Sequence, residues 1–204
     1  MIGIFGGTFD PVHFGHLRSA LELKALFELD HVRLIPCMPS HRSQTKASAN
    51  QRLDMLELAV GNQHDLIIDA QELERGGYSY TFDTLTSLRH NHTQTLLLFI
   101  GSDAFNQLTT WYRWQEIFDL AHVVVITRPD TVLNSLSDFF KKRLIHDKNI
   151  LKKYSAGGLF FQEITQLAIS ATAIRGMIAA GCSPRFLLPD AVTDYITQHQ
   201  LYKE

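Results

Sequence analysis

IGIFGGTFDPVHFGHL, residues 2–17, is the stretch that decides the architecture. The apolar run at 2–5 reads as a short buried strand. Leu17, Ala20, Leu21, Leu23, Leu26 and Phe27 then recur at helical spacing, which predicts a helix over 17–29. Between them, Gly6 and Gly7 let backbone N–H groups approach a ligand, because no Cβ stands in the way. The helix N-terminus that follows carries partial positive charge and unpaired donors. Together these features make an anion cradle. His13 and His16 lie one helical turn apart. If the helix begins near residue 14, both imidazoles face the same phosphate, and Gly15 keeps that face open. The spacing of Gly3, Gly6 and Gly7 is not that of a dinucleotide fingerprint, and no GK[ST] marks a Walker loop. A metal site would need a third ligand that the sequence does not offer.

The alternation continues outward from this unit. Residues 32–35 form a second strand, closed by Pro36, and PCMPSHRSQTKASANQ (36–51) is a long polar loop. A helix is predicted over 52–60, a strand over 66–69, a helix over 80–89 and a strand over 95–100, before Gly101. A helix over 114–120 and a strand over 122–127, stopped by Pro129, come next. Residues 130–165 read as helix, loop and a strand at 159–164, and helices near 172–180 and 189–199 end the chain. Such alternation implies right-handed βαβ crossovers. The expected fold is α/β: a Rossmann-like, doubly wound, mostly parallel sheet with helices on both faces. One domain over 1–204 is expected, with a small helical C-terminal part from about residue 166. In such sheets the ligand crevice lies beyond the carboxyl ends of the strands. Residues 6–16, 36–42 and 101–103 fall there.

Composition narrows the classes. Nineteen Lys and Arg against 21 Asp and Glu give a net charge of −2, so no basic field recruits nucleic acid. Cys37 and Cys182 are the only cysteines and form no CxxC, which fits reduced thiols and a cytoplasmic location. The chain opens directly in a strand, leaving no room for a signal peptide, and no apolar run approaches the roughly 20 residues that span a bilayer. A homo-oligomer is left open.

GGTFDPVHFGHL resembles the HxGH loop of the nucleotidyltransferase superfamily, carried here by His13-Phe14-Gly15-His16. That resemblance calls for a late ISxTxxR signature, and Ile169-Ser170-Ala171-Thr172-Ala173-Ile174-Arg175 supplies it, departing from the common pattern at Ala171. The late motif is also intelligible from its residues. Ser170 suits an N-cap, Thr172 falls in the first turn, and Arg175 one turn later can bind phosphate bidentately.

Further stretches resemble the bacterial nicotinate mononucleotide adenylyltransferase family. IPCMPSHRSQ is similar to its IPxxxPHK-like loop, with His41 and Arg42 in the basic positions, Arg42 replacing a common Lys. GGYSYTFDTL is similar to its SYTxDTL stretch, and FIGSDAFNQLTTWYRWQEI to its FIIGxD…WYxxxEI region. The resemblance covers nearly the whole chain, with 130–160 the poorest match. It implies that His13, His16 and Arg175 are the catalytic donors, and that Gly6, Gly7, Thr8, Phe9, Arg42, Ile169, Ser170 and Thr172 bind ATP. Gly101 and Asp103 would contact the adenosine ribose. His41, Thr84, Trp111 and Tyr112 would bind nicotinate mononucleotide, Trp111 stacking on the pyridine ring. Trp114 is read as core.

The implied reaction is attack of the mononucleotide phosphate on the α-phosphorus of ATP, giving nicotinate adenine dinucleotide and pyrophosphate in NAD biosynthesis. A phosphate monoester is already anionic, so no protein nucleophile is required, and catalysis is positioning plus charge stabilisation. Mg²⁺ is expected with the triphosphate, held mostly by phosphate oxygens and water. The alternatives are the same chemistry on nicotinamide mononucleotide or phosphopantetheine, or a non-catalytic nucleotide-binding protein. The last is disfavoured by intact His13, His16 and Arg175. Short length and the lack of a basic face disfavour a role like that of the aminoacyl-tRNA ligases.

Overall fold

A computed structural model describes residues 1–38, 45–127, 136–165 and 167–203. In chain order the elements are β1 (Ile2–Gly7), α1 (Phe14–Leu26), β2 (His31–Pro36), α2 (Ala49–Val60), β3 (Leu66–Ile68), α3 (Gln71–Arg75) and α4 (Thr81–Asn91). Then come β4 (Leu96–Gly101), α5 (Ser102–Asn106), α6 (Ile117–Leu120), β5 (His122–Thr127), α7 (Asp138–Lys141), β6 (Leu159–Glu163), α8 (Ala171–Ala179) and α9 (Asp190–Gln198). The six strands form one sheet in the order β3-β2-β1-β4-β5-β6. Every pairing between them is parallel, so the expected doubly wound fold is present.

The central strands are mostly apolar because both faces of the sheet are covered. Alternate residues serve opposite layers. Leu97 and Phe99 of β4 and Val124 and Ile126 of β5 join Leu17, Leu23, Met55, Ile174 and Val192 on one side. Leu96, Leu98 and Ile100, with Val123 and Val125, pack with Leu85, Leu88 and Phe118 on the other. The order reverses between β1 and β4, and a crevice opens where their crossovers leave on opposite faces.

Several boundaries differ from expectation for local reasons. β1 runs on through both glycines, since Gly6 and Gly7 pair with Ile35 and Pro36 of β2. α2 starts at Ala49 rather than 52, because Ser48 and Gln51 form a reciprocal cap. The helix expected over 114–120 shrinks to α6: Arg113 has φ 51°, and the chain turns before Ile117. Trp114 is therefore not helical, although its ring does pack on Phe139 and Phe140. Within 130–165, the described part holds α7, a 3-10 turn at Lys148–Lys152, and β6. Pro129 lies outside the described residues.

Candidate active site

The loop after β1 is tightly determined. Phe9 is 1% exposed and sits at φ 49°, a conformation costly for a bulky residue and tolerated only where packing imposes it. A Cβ on Gly7 would stand 2.9 Å from the Phe9 ring, so glycine is required there for close approach. His13 takes the N-cap position of α1. Its backbone N–H donates to Nδ1 of His16 at 3.3 Å. Nδ1 of His16 is thus an acceptor, and in the neutral ring the proton sits on Nε2, which remains available as a donor.

The two imidazoles stack with centroids 3.7 Å apart and planes 21° from parallel, and the Phe9 ring meets His16 edge-on at 5.0 Å. Burial lowers His13 to a pKa of about 4. Burial, with the neighbouring His13, lowers His16 to about 3. Both are uncharged at neutral pH and act as N–H dipoles. Nδ1 of His13 is buried and has no partner among the described residues. Gly15 does more than keep a face open: a Cβ there would lie 2.9 Å from Nδ1 of His13 and 3.6 Å from the Ile169 carbonyl oxygen.

That carbonyl belongs to the late motif, which the fold carries to the same place. Ser170 caps α8, accepting from the Ala173 N–H at 3.1 Å. Nη2 of Arg175 donates to Oγ1 of Thr172 at 3.3 Å. Nη1 donates at 2.7 Å to the carbonyl oxygen of Asp10, 165 positions earlier. The guanidinium therefore stands against the loop that leads to His13 and His16, with further N–H groups for an anion.

Beside this loop lies a cavity of about 770 Å³ at the carboxyl ends of β1, β2 and β4. Gly6, Gly7, Thr8, Gly101, Trp111 and Tyr112 line it. Thr84 does not. It is buried behind the wall, its hydroxyl donating to Oε1 of Glu72 at 2.5 Å and accepting from Arg75 at 3.2 Å. Glu72, not singled out from sequence, is the residue of that pair that reaches the cavity. Asp103 is exposed in the first turn of α5 and is not part of the lining. His41 and Arg42 lie outside the described residues.

Arg52, on α2, has a structural role that its place in the sequence does not announce. It is 1% exposed, and Nη1 donates to the carbonyl oxygens of Thr8 at 2.6 Å and Cys37 at 2.9 Å, tying the ends of β1 and β2 together. Its only sequence signal is an arginine on the same helical face as Met55 and Leu56.

Fold and site together define a class. The model of the cytidylyltransferase-like family matches residues 4–177, and the chain belongs to that family. Within it, the resemblance narrows to relatives carrying one activity name. The probable nicotinate-nucleotide adenylyltransferase of Methylococcus capsulatus is 45% identical, covering 99% of each chain. That of Pseudomonas aeruginosa is 47% identical over 99% of this chain and 97% of its own. Among solved structures, Plasmodium falciparum nicotinic acid mononucleotide adenylyltransferase complexed with NaAD superposes with a TM-score of 0.75 at 19% identity. It covers 98% of this chain and 96% of that one, and establishes the likeness of fold.

Proposed function

We propose that this chain transfers the adenylyl group of ATP to nicotinate mononucleotide, giving nicotinate adenine dinucleotide and pyrophosphate in NAD biosynthesis. The observation that supports it best is the 2.7 Å bond from Arg175 to Asp10, which gathers both motifs at one site. The full-length relatives of that activity name support the choice of substrates.

In this reading the pyridine ring of the acceptor occupies the cavity against Trp111 and Tyr112, and its phosphate points toward the loop after β1. ATP lies across the N-termini of α1 and α8. Nε2 of His16 and the His13 ring donate to phosphoryl oxygens that gain charge as the α-phosphorus is attacked, and Arg175, with Ser170 and Thr172, holds the β,γ end. Ile169 contributes backbone, and Gly101 and Asp103 flank the ribose. On the resemblance, Arg42 adds a cation to the triphosphate and His41 a contact to the acceptor. Neutral imidazoles suit this role: they enter unprotonated, and an approaching polyanion favours their charging rather than opposing it.

Mg²⁺ would neutralise part of the triphosphate charge. The imidazole and guanidinium donors suit phosphate oxygens rather than a cation, and no group of three or more His, Cys, Asp or Glu among the described residues could hold a metal ion. Phosphate oxygens and water would hold it instead. No described helix is long and apolar enough to cross a membrane; the cytoplasmic location is part of the proposal.

The test is pyrophosphate release from ATP and Mg²⁺ with nicotinate mononucleotide, nicotinamide mononucleotide and phosphopantetheine in turn. Nicotinate mononucleotide should give a kcat/KM at least about tenfold above the others, a gap of about 1.4 kcal/mol. Faster turnover of another acceptor would overturn the substrate assignment, and no release with any would overturn the chemistry.

A further inference from the structure

The segment after α9 returns to the active-site loop, and nothing in the transfer chemistry described so far uses it. The Asp10 carboxylate, 4% exposed, is where it arrives. Oδ2 accepts from the Lys46 N–H at 2.8 Å, while Oδ1 accepts from the Ala47 N–H at 3.2 Å and from the Tyr202 hydroxyl at 2.7 Å. Two segments remote in sequence, at 46–47 and at 202, thus close on one buried carboxylate. The carbonyl of the same residue anchors Arg175. Three residues further on stands His13.

Tyr202 is placed there at some conformational expense. Gln200 and Tyr202 have φ of 53° and 63°, outside the ordinary range for residues with side chains. The tail is held by the Leu201 N–H bond to the Ile196 carbonyl, and the Tyr202 ring packs on the core cluster that contains Phe9 and Ile174. Burial above all, then Asp10, pushes the Tyr202 hydroxyl well above the usual phenol range, against smaller opposing influences of Arg175 and Arg52. It therefore stays protonated and donates to the carboxylate. A hydrogen bond to an ionised acceptor is roughly twice as strong as a neutral one.

We propose that Tyr202 is a positioning residue for adenylyl transfer: its hydroxyl locks the Asp10 carboxylate and, through Asp10, holds Arg175 and the His13–His16 pair in register on one triphosphate. The functional part of this inference rests on the reading given under Proposed function. Tyr202 does not line the cavity. It acts on the placement of Arg175, His13 and His16, and a misplacement of a few tenths of an ångström is worth about tenfold in rate where 1 Å is worth about a hundredfold.

The experiment is Tyr202→Phe, which removes the hydroxyl and keeps the ring. At saturating ATP and acceptor, kcat should fall about tenfold while both KM values stay within about twofold and the melting temperature changes by a few degrees. Turnover within twofold of the parent, or a loss confined to KM, would overturn the proposal. Asp10→Asn should lower kcat comparably, and Tyr202→Phe should then add less than a further twofold. Multiplicative losses would show that the tyrosine does not act through Asp10. If Asp10→Asn does not fold, the kcat and KM of Tyr202→Phe decide alone. An activity-independent readout separates this inference from the functional reading. The Lys46 and Ala47 amides should exchange with solvent at least about tenfold faster in Tyr202→Phe, and unchanged exchange overturns the proposal even if the parent protein proves to have another substrate.

Discussion

Gly15→Ala tests whether the stacked histidines must sit where the fold puts them. Glycine inside a helix is ordinarily worse than alanine by about 0.5–1 kcal/mol, so at an indifferent position the change would stabilise. Here the new methyl carbon would stand 2.9 Å from Nδ1 and 3.0 Å from Cε1 of His13. The ring must move, and the 3.7 Å stack with His16 must open or slide. Overpacking of this kind costs about 1–3 kcal/mol. Set against the helical gain, the net loss is about 0–2.5 kcal/mol, or a melting point lowered by no more than about 10 °C for a chain of this size. The catalytic effect should be far larger, because a donor displaced by up to about 1 Å from the developing charge loses about 10²-fold in rate. Gly176→Ala is the matched control: among the described residues, nothing beyond its chain neighbours and its own helix backbone lies within 4 Å of the added carbon, and it sits inside α8. It should raise the melting point by about 1–4 °C. The assays are pyrophosphate release at saturating substrates and thermal melting by circular dichroism. Turnover of Gly15→Ala within threefold of the parent would refute the argument that the His13 ring position matters.

Two further expectations follow from the same geometry. The histidines tie stability to pH. His13 falls from 6.5 to about 4, His16 to about 3, and His122 is also lowered, chiefly by burial. The unfolded chain therefore binds more protons than the native one below about pH 6.5. The stabilisation is fully present above that pH and is lost as pH falls toward 4–3. For His13, the fall from 6.5 to about 4 corresponds to about 3 kcal/mol in all, and about 2 kcal/mol of it is gone by pH 5. Urea midpoints should decline between pH 7 and 5, and the His13 and His16 ring protons should not titrate in that interval by NMR; a constant midpoint, or titration near 6.5, contradicts the burial argument. Trp111→Ala should raise KM for the acceptor about 5- to 150-fold, from the roughly 1–3 kcal/mol of base–aromatic stacking, with KM for ATP little changed; an equal rise in both would remove Trp111 from acceptor binding.

What could be read from the chain itself was whatever depends on neighbours in sequence. The strands at 2–5, 95–100 and 122–127 are legible because fully buried parallel strands are short apolar runs. The Ser170 cap and the His13–His16 spacing are legible because a helical turn spans only a few residues. The class of chemistry followed from two such local patterns in order. The failure at Trp114 has a local cause too: the aromatic spacing there mimics a helix, while the positive φ of Arg113 breaks it.

Tertiary structure alone decided which of these groups meet. Arg175 reaches Asp10 from 165 residues further along the chain, Glu72 rather than Thr84 reaches the cavity, Arg52 turns inward to bind two strand ends, and Tyr202 closes on the loop it follows by 192 residues. Contacts between remote segments carry no periodic trace in a sequence. Burial, which leaves both the His13 and His16 imidazoles uncharged, is a property of the packed surroundings that no single stretch contains.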